Sequence, residues 1–551
     1  MTTTSKDIFL LEKQNKLEQP SPVDDRQWIT INDQNNGVYQ SGKVKLNTSV
    51  LSSSGKRVSY SEGYLSIPYV IVISGVDATP ANVDLRVLTD FKISLKNGMS
   101  VINTCKLDLN NTSVLQQNSH LDMLKTAYWN MGMNGLDEKY SYEELLIGKD
   151  NPDSLRYALA ANNLNGHGLC NNTNHGSVVA GNSFRNTVRG NSGFQRKMDK
   201  QVKSLTNDNG MDSVLPANHL SSSEICHVEK TEFYTCYHIL LKVPLTMLSD
   251  VFAGVNLNRS SFFNMEISVN ESNFQLLKVA ADLSLVANSM NVHGETNPVM
   301  VASAAANNGM ADIPNDTTLT VTGSVVRPNF GGAHSTLNIV HATQQVVKLH
   351  VPLIELEPGV ESKYLELHRS VKLNYTEYNY SKVTITAGAN MNHQLNAGIS
   401  NPRWILIVPQ LPSTSNQGIS SIQSPFCSCP AITAPTSFSN FNVKVNGKNL
   451  FQERLYRDKD FFEQLRGLYS INSNMTPNIQ GGISFEEFVS GSYKYYFVDL
   501  SRNVPLENNQ PTNIQVDVKN EGLLDTDLHI FVGQIKTLEI DNFTGARLNP
   551  V

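Results

Sequence analysis

From Trp28 to Ile540 the apolar residues fall mainly in short alternating runs, separated by turns rich in Asn, Gly and Pro. That is the signature of half-buried strands. WITINDQNNGVYQSGKVKL at 28–46 places β-formers on either side of an Asn-Asn-Gly turn. GYLSIPYVIVISG at 63–75 is a strongly apolar strand candidate. FKISLKNGMSVINTCKLDL at 91–109 divides at Asn97-Gly98, which reads as a hairpin turn. SHLDMLKTAYWNM at 119–131 changes to helical spacing, with Leu121, Leu124 and Trp129 on one face and Ser119 as N-cap.

Strands resume at Thr231–Val243, followed by a short helix at Leu245–Phe252 and a strand at Phe262–Val269. Asn291–Thr318 reads as loop, Val346–Leu356 as strand and Pro358–Leu367 as a short helix. A second series starts near 370 with VKLNYTEYNYSKVTI, of period two. It continues through RWILIVPQL, the Pro- and Ser-rich loop SPFCSCPAITAPTS, and FNVKVNGKNLF. A helix is expected from Asp458, then the strands GSYKYYFVDLS, NIQVDVK and LHIFVGQI.

Two segments stand apart. Residues 1–25 read as a loose arm, with an apolar patch at Ile8–Leu11 and breaks at Pro20 and Pro22. Residues 132–225 are mostly Gly, Asn, Ser and charged, too polar for a core of their own. They read as a long surface excursion with short helices near 141–161.

The two series repeat each other. KLDLNNTSVLQ at 106–116 lies over NVKVNGKNLFQ at 442–452, an offset of 336. Asn110-Asn111 then falls on Asn446-Gly447, and a helix candidate follows each copy. EFYTCYHILLKVPL and GSYKYYFVDLSRNVPL both end in Val-Pro-Leu, with Val504 lying 261 positions after Val243. The offsets differ by 75, so extra chain must lie in the first half, where the excursion is. Tandem β domains produce this pattern. Long, unequal connections favour two jelly rolls over an immunoglobulin-like array.

Composition agrees. The chain has 551 residues, enough for more than one core. Only 17% are charged, against a usual value of about 25%. Net charge is −6, which argues against gripping nucleic acid as the main task. The six cysteines (Cys105, Cys170, Cys226, Cys236, Cys427, Cys429) are too sparse for a disulfide framework. With no secretory leader and no long apolar span, synthesis in a reducing host compartment without secretion is expected.

The chain resembles the double jelly-roll major capsid proteins of polinton-like viruses, virophages and related double-stranded DNA viruses. WITINDQNNGVYQSG, YSEGYLSIPYVI, HILLKVPLTMLSDVF, NPRWILIVPQL, SPFCSCPAITAPTSFSNFNVKVNGKNLFQ, YKYYFVDLSR, IQVDVKNEG and DLHIFVGQIKTLEI carry the likeness by their order and spacing. It implies an all-β fold of two tandem eight-stranded jelly rolls with few short helices. The expected divisions are an arm at 1–25, a first roll at 26–365 with the insertion at 132–225, and a second roll at 366–551. It further implies a pseudo-hexagonal homotrimer that builds an icosahedral capsid in the virion, with penton and minor capsid proteins as further partners. The insertion would be an outer tower. Contact with genome or membrane stays open.

The residue types that could carry chemistry fit plainer roles. Cys226, His227, Cys236 and His238 offer metal-ligand types, but buried thiols and hydrogen-bonded imidazoles fit strand positions better. Cys427 and Cys429 cannot complete a tetrahedral site alone. Glu486-Glu487 and Asp458/Asp460 are carboxylate pairs, read as solvated charge near helix ends rather than a glycosidase couple. The basic run Arg185, Arg189, Arg196, Lys197, Lys200 and Lys203 reads as a solvated loop or intersubunit contact before contact with packaged genome or an anionic host surface. Tyr493–Phe497 reads as packing, and the sequon at Asn374 as chance. No catalytic, cofactor or metal residue is expected, and the chain is expected not to be an enzyme. A receptor- or carbohydrate-binding β-sandwich spike is the competing reading, and a sandwich glycosidase the second.

Overall fold

The computed structural model describes residues 23–35, 42–52, 54–76, 91–116, 119–132, 145, 155–156, 171–172, 226–230, 234–259, 262–279, 282–285, 291–293, 295–303, 318–325, 346–395, 398–412, 420, 422–425, 429–434, 436–472, 482–489, 493–501 and 511–541.

Sixteen strands make the frame. In the first half they are β1 (Val23–Asn32), β2 (Lys43–Asn47), β3 (Tyr64–Val76), β4 (Ile102–Leu109), β5 (Thr112–Gln116), β6 (Tyr234–Pro244), β7 (Phe263–Val269) and β8 (Lys348–Leu356). In the second they are β9 (Ser370–Ile385), β10 (Asn390–Gln394), β11 (Pro402–Gln410), β12 (Phe438–Val445), β13 (Lys448–Asn449), β14 (Tyr496–Asp499), β15 (Ile514–Asn520) and β16 (Thr526–Asp541). Three helices matter here: α1 (Leu121–Gly132), α2 (Pro358–Leu367) and α3 (Asp458–Asn472).

The pairing is the same in both halves. One first-half sheet runs β1-β8-β3-β6 and the other β2-β7-β4-β5. The second half gives β9-β16-β11-β14 and β10-β15-β12-β13. Adding eight to each first-half strand yields its counterpart. All these pairs are antiparallel, and this interleaving of two four-stranded sheets is the jelly-roll order.

The sequence explains the most closely matched piece. β4 and β5 join through Asn110-Asn111, both with positive φ (47° and 62°). β12 and β13 join through Asn446-Gly447 (50° and 80°). Two consecutive left-handed residues form the type I′ turn that suits the twist of a hairpin, and Asn and Gly adopt it at least cost. Each first Asn also locks the entry to the neighbouring strand of the same sheet, β7 or β15. Asn110 N–H donates to Phe262 O at 3.0 Å, and Phe262 N–H donates back to Asn110 Oδ1 at 3.1 Å. Asn446 and Asn513 exchange the same two bonds at 2.8 and 3.0 Å.

Several expectations need correction. Asn97-Gly98 is no hairpin turn. Asn97 is extended, and its side chain accepts the Ser100 N–H, capping a 3-10 turn at Gly98–Val101. Phe91–Leu95 instead pairs with Val299–Ser303, inside the stretch read as loop. Helix α1 follows His120, whose φ is 66°, rather than opening directly on Ser119. β1 begins at Val23, within the stretch read as an arm. The shared Val-Pro-Leu ending is not a structural match. Val243-Pro244 closes β6, whereas β14 already ends at Asp499 and residues 504–506 lie outside the described residues. The strands do correspond, but at another offset. Pro244 stands opposite Tyr64 and Asp499 opposite Trp404. The next N–H in each, Leu245 and Leu500, donates to Gly63 O and Arg403 O.

The first half also carries extra strands. Thr318–Ser324 lies beside residues 70–76 of β3, where β8 pairs only with residues 64–66. In the second half one long strand, β16, runs beside β11. The excursion at 132–225 and the basic run within it lie largely outside the described residues. A continuous apolar cluster passes through both rolls.

Candidate functional site: the seam and two sheet faces

Each roll has a four-stranded sheet whose inner face packs on its own core. The outer faces differ. In the second roll that face presents Trp404, Leu406 and Val408 of β11 with His529 and Phe531 of β16, all buried. The first roll covers it. Tyr128 of α1 meets the Trp404 ring edge-on at 5.4 Å. Trp404 in turn lies over Gly533, where a Cβ would come within 2.0 Å of the indole.

Polar groups pin this seam. Glu377 of β9 accepts the Gln116 N–H at 2.7 Å, the Gln534 side chain at 3.0 Å and the Lys536 ammonium at 2.5 Å. Tyr375 donates to Val114 O at 2.6 Å, and Asn130 donates to Tyr495 Oη at 2.9 Å. Lys96 reaches across to Ile422 O at 3.1 Å. A titratable cluster sits beside these. His120 bonds Glu295 at 3.0 Å, His529 bonds Tyr380 at 2.9 Å, and the two imidazoles are 5.2 Å apart. Burial holds His529 well below the usual histidine range, with His120 and Lys382 adding to the shift. Burial pushes Asp122 up to about 6, against the pull of His120 and of hydrogen bonds from Met123 and Thr296. The His120 bond lowers Glu295.

The equivalent face of the first roll is exposed at its Trp28 end, whereas Ser66, Pro68, Val70 and Val72 further along β3 are buried. Trp28 is 48% exposed, packed 5.8 Å from Tyr64, which stacks on His350 at 4.7 Å. Arg26 lies over the Trp28 ring and pairs with Glu62. Tyr64 occupies the place that Trp404 takes in the second roll, as their matching partners in β6 and β14 establish.

His227 stands opposite His238, and Glu229 opposite Cys236, in the register of Cys226–Lys230 with β6. Cys427 lies outside the described residues, and Cys429 is a buried thiol that accepts from the Asn130 amide at 3.6 Å. Asp458 binds the buried Lys494 ammonium at 3.0 Å. Asp460 accepts the Arg457 N–H at 3.2 Å, ahead of α3. Glu487 and Ser484 form a reciprocal cap on the short helix Phe485–Val489. These carboxylates hold helix ends together. Tyr493, Tyr495, Tyr496 and Phe497 are all buried, with Tyr495 reaching the seam. Asn374 accepts from Thr537 across the ladder at 2.8 Å. Among the described residues, no group of three metal-ligand side chains converges and no helix is long and apolar enough to cross a membrane.

No family model matches the chain, and no curated protein matches it in sequence. Solved structures do. A chain of the Sputnik virophage, from its cryo-EM structure, aligns with TM-score 0.50 and 9% identity, over 97% of this chain and 90% of that one. The mavirus major capsid protein aligns with TM-score 0.47 and 9% identity, over 95% and 90%. The Faustovirus major capsid protein gives 0.45 and 9%, over 94% and 91%. Strand order in both halves and the Sputnik alignment agree on the architecture: this chain has the double jelly-roll fold.

Proposed function

We propose that this chain is a major capsid protein whose activity is assembly. One observation carries the reading: the same eight-strand order occurs twice in one chain, and the two copies stand side by side across a buried seam. Three such chains present six similar masses, so a trimer tiles a hexagonal lattice while needing only threefold symmetry. The Sputnik likeness over nearly the whole chain supports it.

On this reading residues 26–365 and 366–551 are the two capsid domains, 1–25 an inner strap and 132–225 an outer tower. The role is structural rather than enzymatic. The trimer interface buries more than about 2,000 Å² in total, as obligate contacts do. Weaker contacts between trimers, with penton and minor proteins at special positions, close an icosahedral shell. The virion is its location, after synthesis in a reducing compartment. Size-exclusion chromatography with light scattering is the test, followed by negative-stain imaging. Hexagonal particles of three chains support the reading. A dispersed monomer at micromolar concentration overturns it.

A further inference from the structure

The strand Cys226–Lys230 pairs with the start of β6, and β6 in turn pairs with β3. In an antiparallel ladder, directly opposed residues share a face, and so do residues two apart. His227 stands opposite His238 and Glu229 opposite Cys236, so these four occupy one face. Cys226 stands opposite Ile239, which belongs to the continuous core, and so occupies the other face. Register therefore parts the two cysteines that the sequence sets beside His227 and His238. It puts the carboxylate of Glu229 in the place of one of them.

Opposed residues in such a ladder are about 5 Å apart at Cβ, and residues two apart about 7 Å. An ion seated over that rectangle, nearer the short cysteine than the longer histidines and glutamate, is within bonding reach of all four. What brings the four together is strand register, not a cluster already formed among the described side chains. Charge agrees. A thiolate, a carboxylate and two neutral imidazoles carry two negative charges, which balance a divalent cation. The surroundings agree too. On the same face of β3, Val70 stands opposite His238 and Val72 opposite Cys236, and both are buried on the side away from the continuous core. Apolar neighbours keep water from a metal and strengthen its bonds. Without an ion, His opposite His and Glu opposite Cys are not the complementary pairs that stabilise a ladder.

We propose that His227, Glu229, Cys236 and His238 bind one zinc ion, which ties the edge strand Cys226–Lys230 to β6. Two imidazoles, a thiolate and a carboxylate make a tetrahedral set of the kind zinc takes. The site is independent of the capsid reading.

The test uses the full-length chain, stripped with a chelator and titrated with zinc and, separately, with cobalt(II). One equivalent of zinc is expected by calorimetry, and cobalt is expected to show tetrahedral ligand-field bands with a thiolate charge-transfer band. Cys236→Ser is expected to abolish the charge-transfer band. Cys236→Ser and His238→Gln are each expected to weaken zinc by more than about 100-fold, beyond the 10–100-fold that loss of a supporting group costs. Cys226→Ser, on the other face, is expected to keep both the band and the affinity. Circular dichroism of the metal-free chains checks that each variant folds. Should Cys236→Ser fail to fold, Glu229→Gln decides in its place: weaker zinc with the thiolate band retained supports the site, and unchanged affinity overturns it. A parent chain that binds no zinc at micromolar free metal overturns the assignment. So does binding that survives in Cys236→Ser and His238→Gln, which is adventitious, or binding that is lost in Cys226→Ser.

Discussion

Trp404 and Tyr64 hold the same place in two copies of one fold, and their surroundings have diverged. Trp404 lies flat over Gly533 beneath Tyr128, closed off from water. Tyr64 stacks on His350, which fills the place opposite it that Gly533 fills opposite Trp404. Topology set where each aromatic stands. What covers it goes with the residues around it: a residue without a side chain where a large ring must lie close, and an imidazole where no described residue of the other roll closes over the ring. The second roll buries this face inside the chain, while the first presents the Trp28 end of its own to solvent, where Arg26 and Glu62 pair.

The largest test of that contrast removes a ring from the closed face. Phe531 is fully buried between Tyr378 and Tyr380. Phe531→Ala is expected to destabilise the chain by about 3–5 kcal/mol, as deletion of a buried aromatic does. Trp28→Ala on the open face, measured on the unassembled chain by urea denaturation, is expected to cost about 1 kcal/mol or less. Equal losses would erase the distinction between the faces.

The next test adds a single methyl group. Gly533→Ala drives a Cβ into the Trp404 ring, and overpacking of this kind costs about 1–3 kcal/mol. His350→Ala, at the matching place in the first roll, is expected to change the melting temperature little. Indole fluorescence reads the same event, because Trp404 and the half-buried Trp129 both lie at or near the seam.

Much of this was legible in the sequence and some was not, for physical reasons. The hairpins at Asn110-Asn111 and Asn446-Gly447 were readable because a type I′ turn demands its residues locally. Asn97-Gly98 carries the same letters, yet Asn97 spends its side chain on Ser100 N–H and on Thr126, a helix-capping role that needs the fold around it. Val-Pro-Leu misled because three residues can recur by chance, whereas the correspondence of β6 and β14 lies in their pairing with β3 and β11. The seam was invisible. Gln116 and Glu377 are 261 residues apart, and no local periodicity marks a carboxylate that will accept from a distant strand.

Acid tests the closed face with two groups of opposite sign. His529 is held neutral, so its contribution is present above the ordinary histidine value of about 6.5 and is lost as pH falls below it. Asp122, raised to about 6, works the other way: the folded chain takes its proton first, so stability is regained as pH falls through 6. Between pH 6 and 5 these two slopes oppose each other, on top of the smaller acid loss from the lowered His350 and His393. Asp122→Asn removes one slope and should expose a loss of roughly 1.4 kcal/mol per pH unit on acidification. His529→Gln should turn the profile into a gain. Parallel profiles for both variants would show that these groups do not titrate inside the seam.

The smallest expected effect lies where the two rolls are most alike. Gly447 has φ +80° with open space around its Cα, so a side chain there meets no neighbour and only the backbone resists. Gly447→Ala is therefore expected to cost about 1 kcal/mol, the penalty of placing an ordinary residue in the left-handed region. Gly447→Asn should cost less, because Asn111 already holds the matching place in the first roll at φ 62°. A thermal-melt comparison of the two variants decides the matter. If Asn is no better tolerated than Ala, the two turns are alike in shape only, and the reciprocal bonds of Asn110 and Asn446 to the start of the strand beside them, not turn chemistry, hold both hairpins in register.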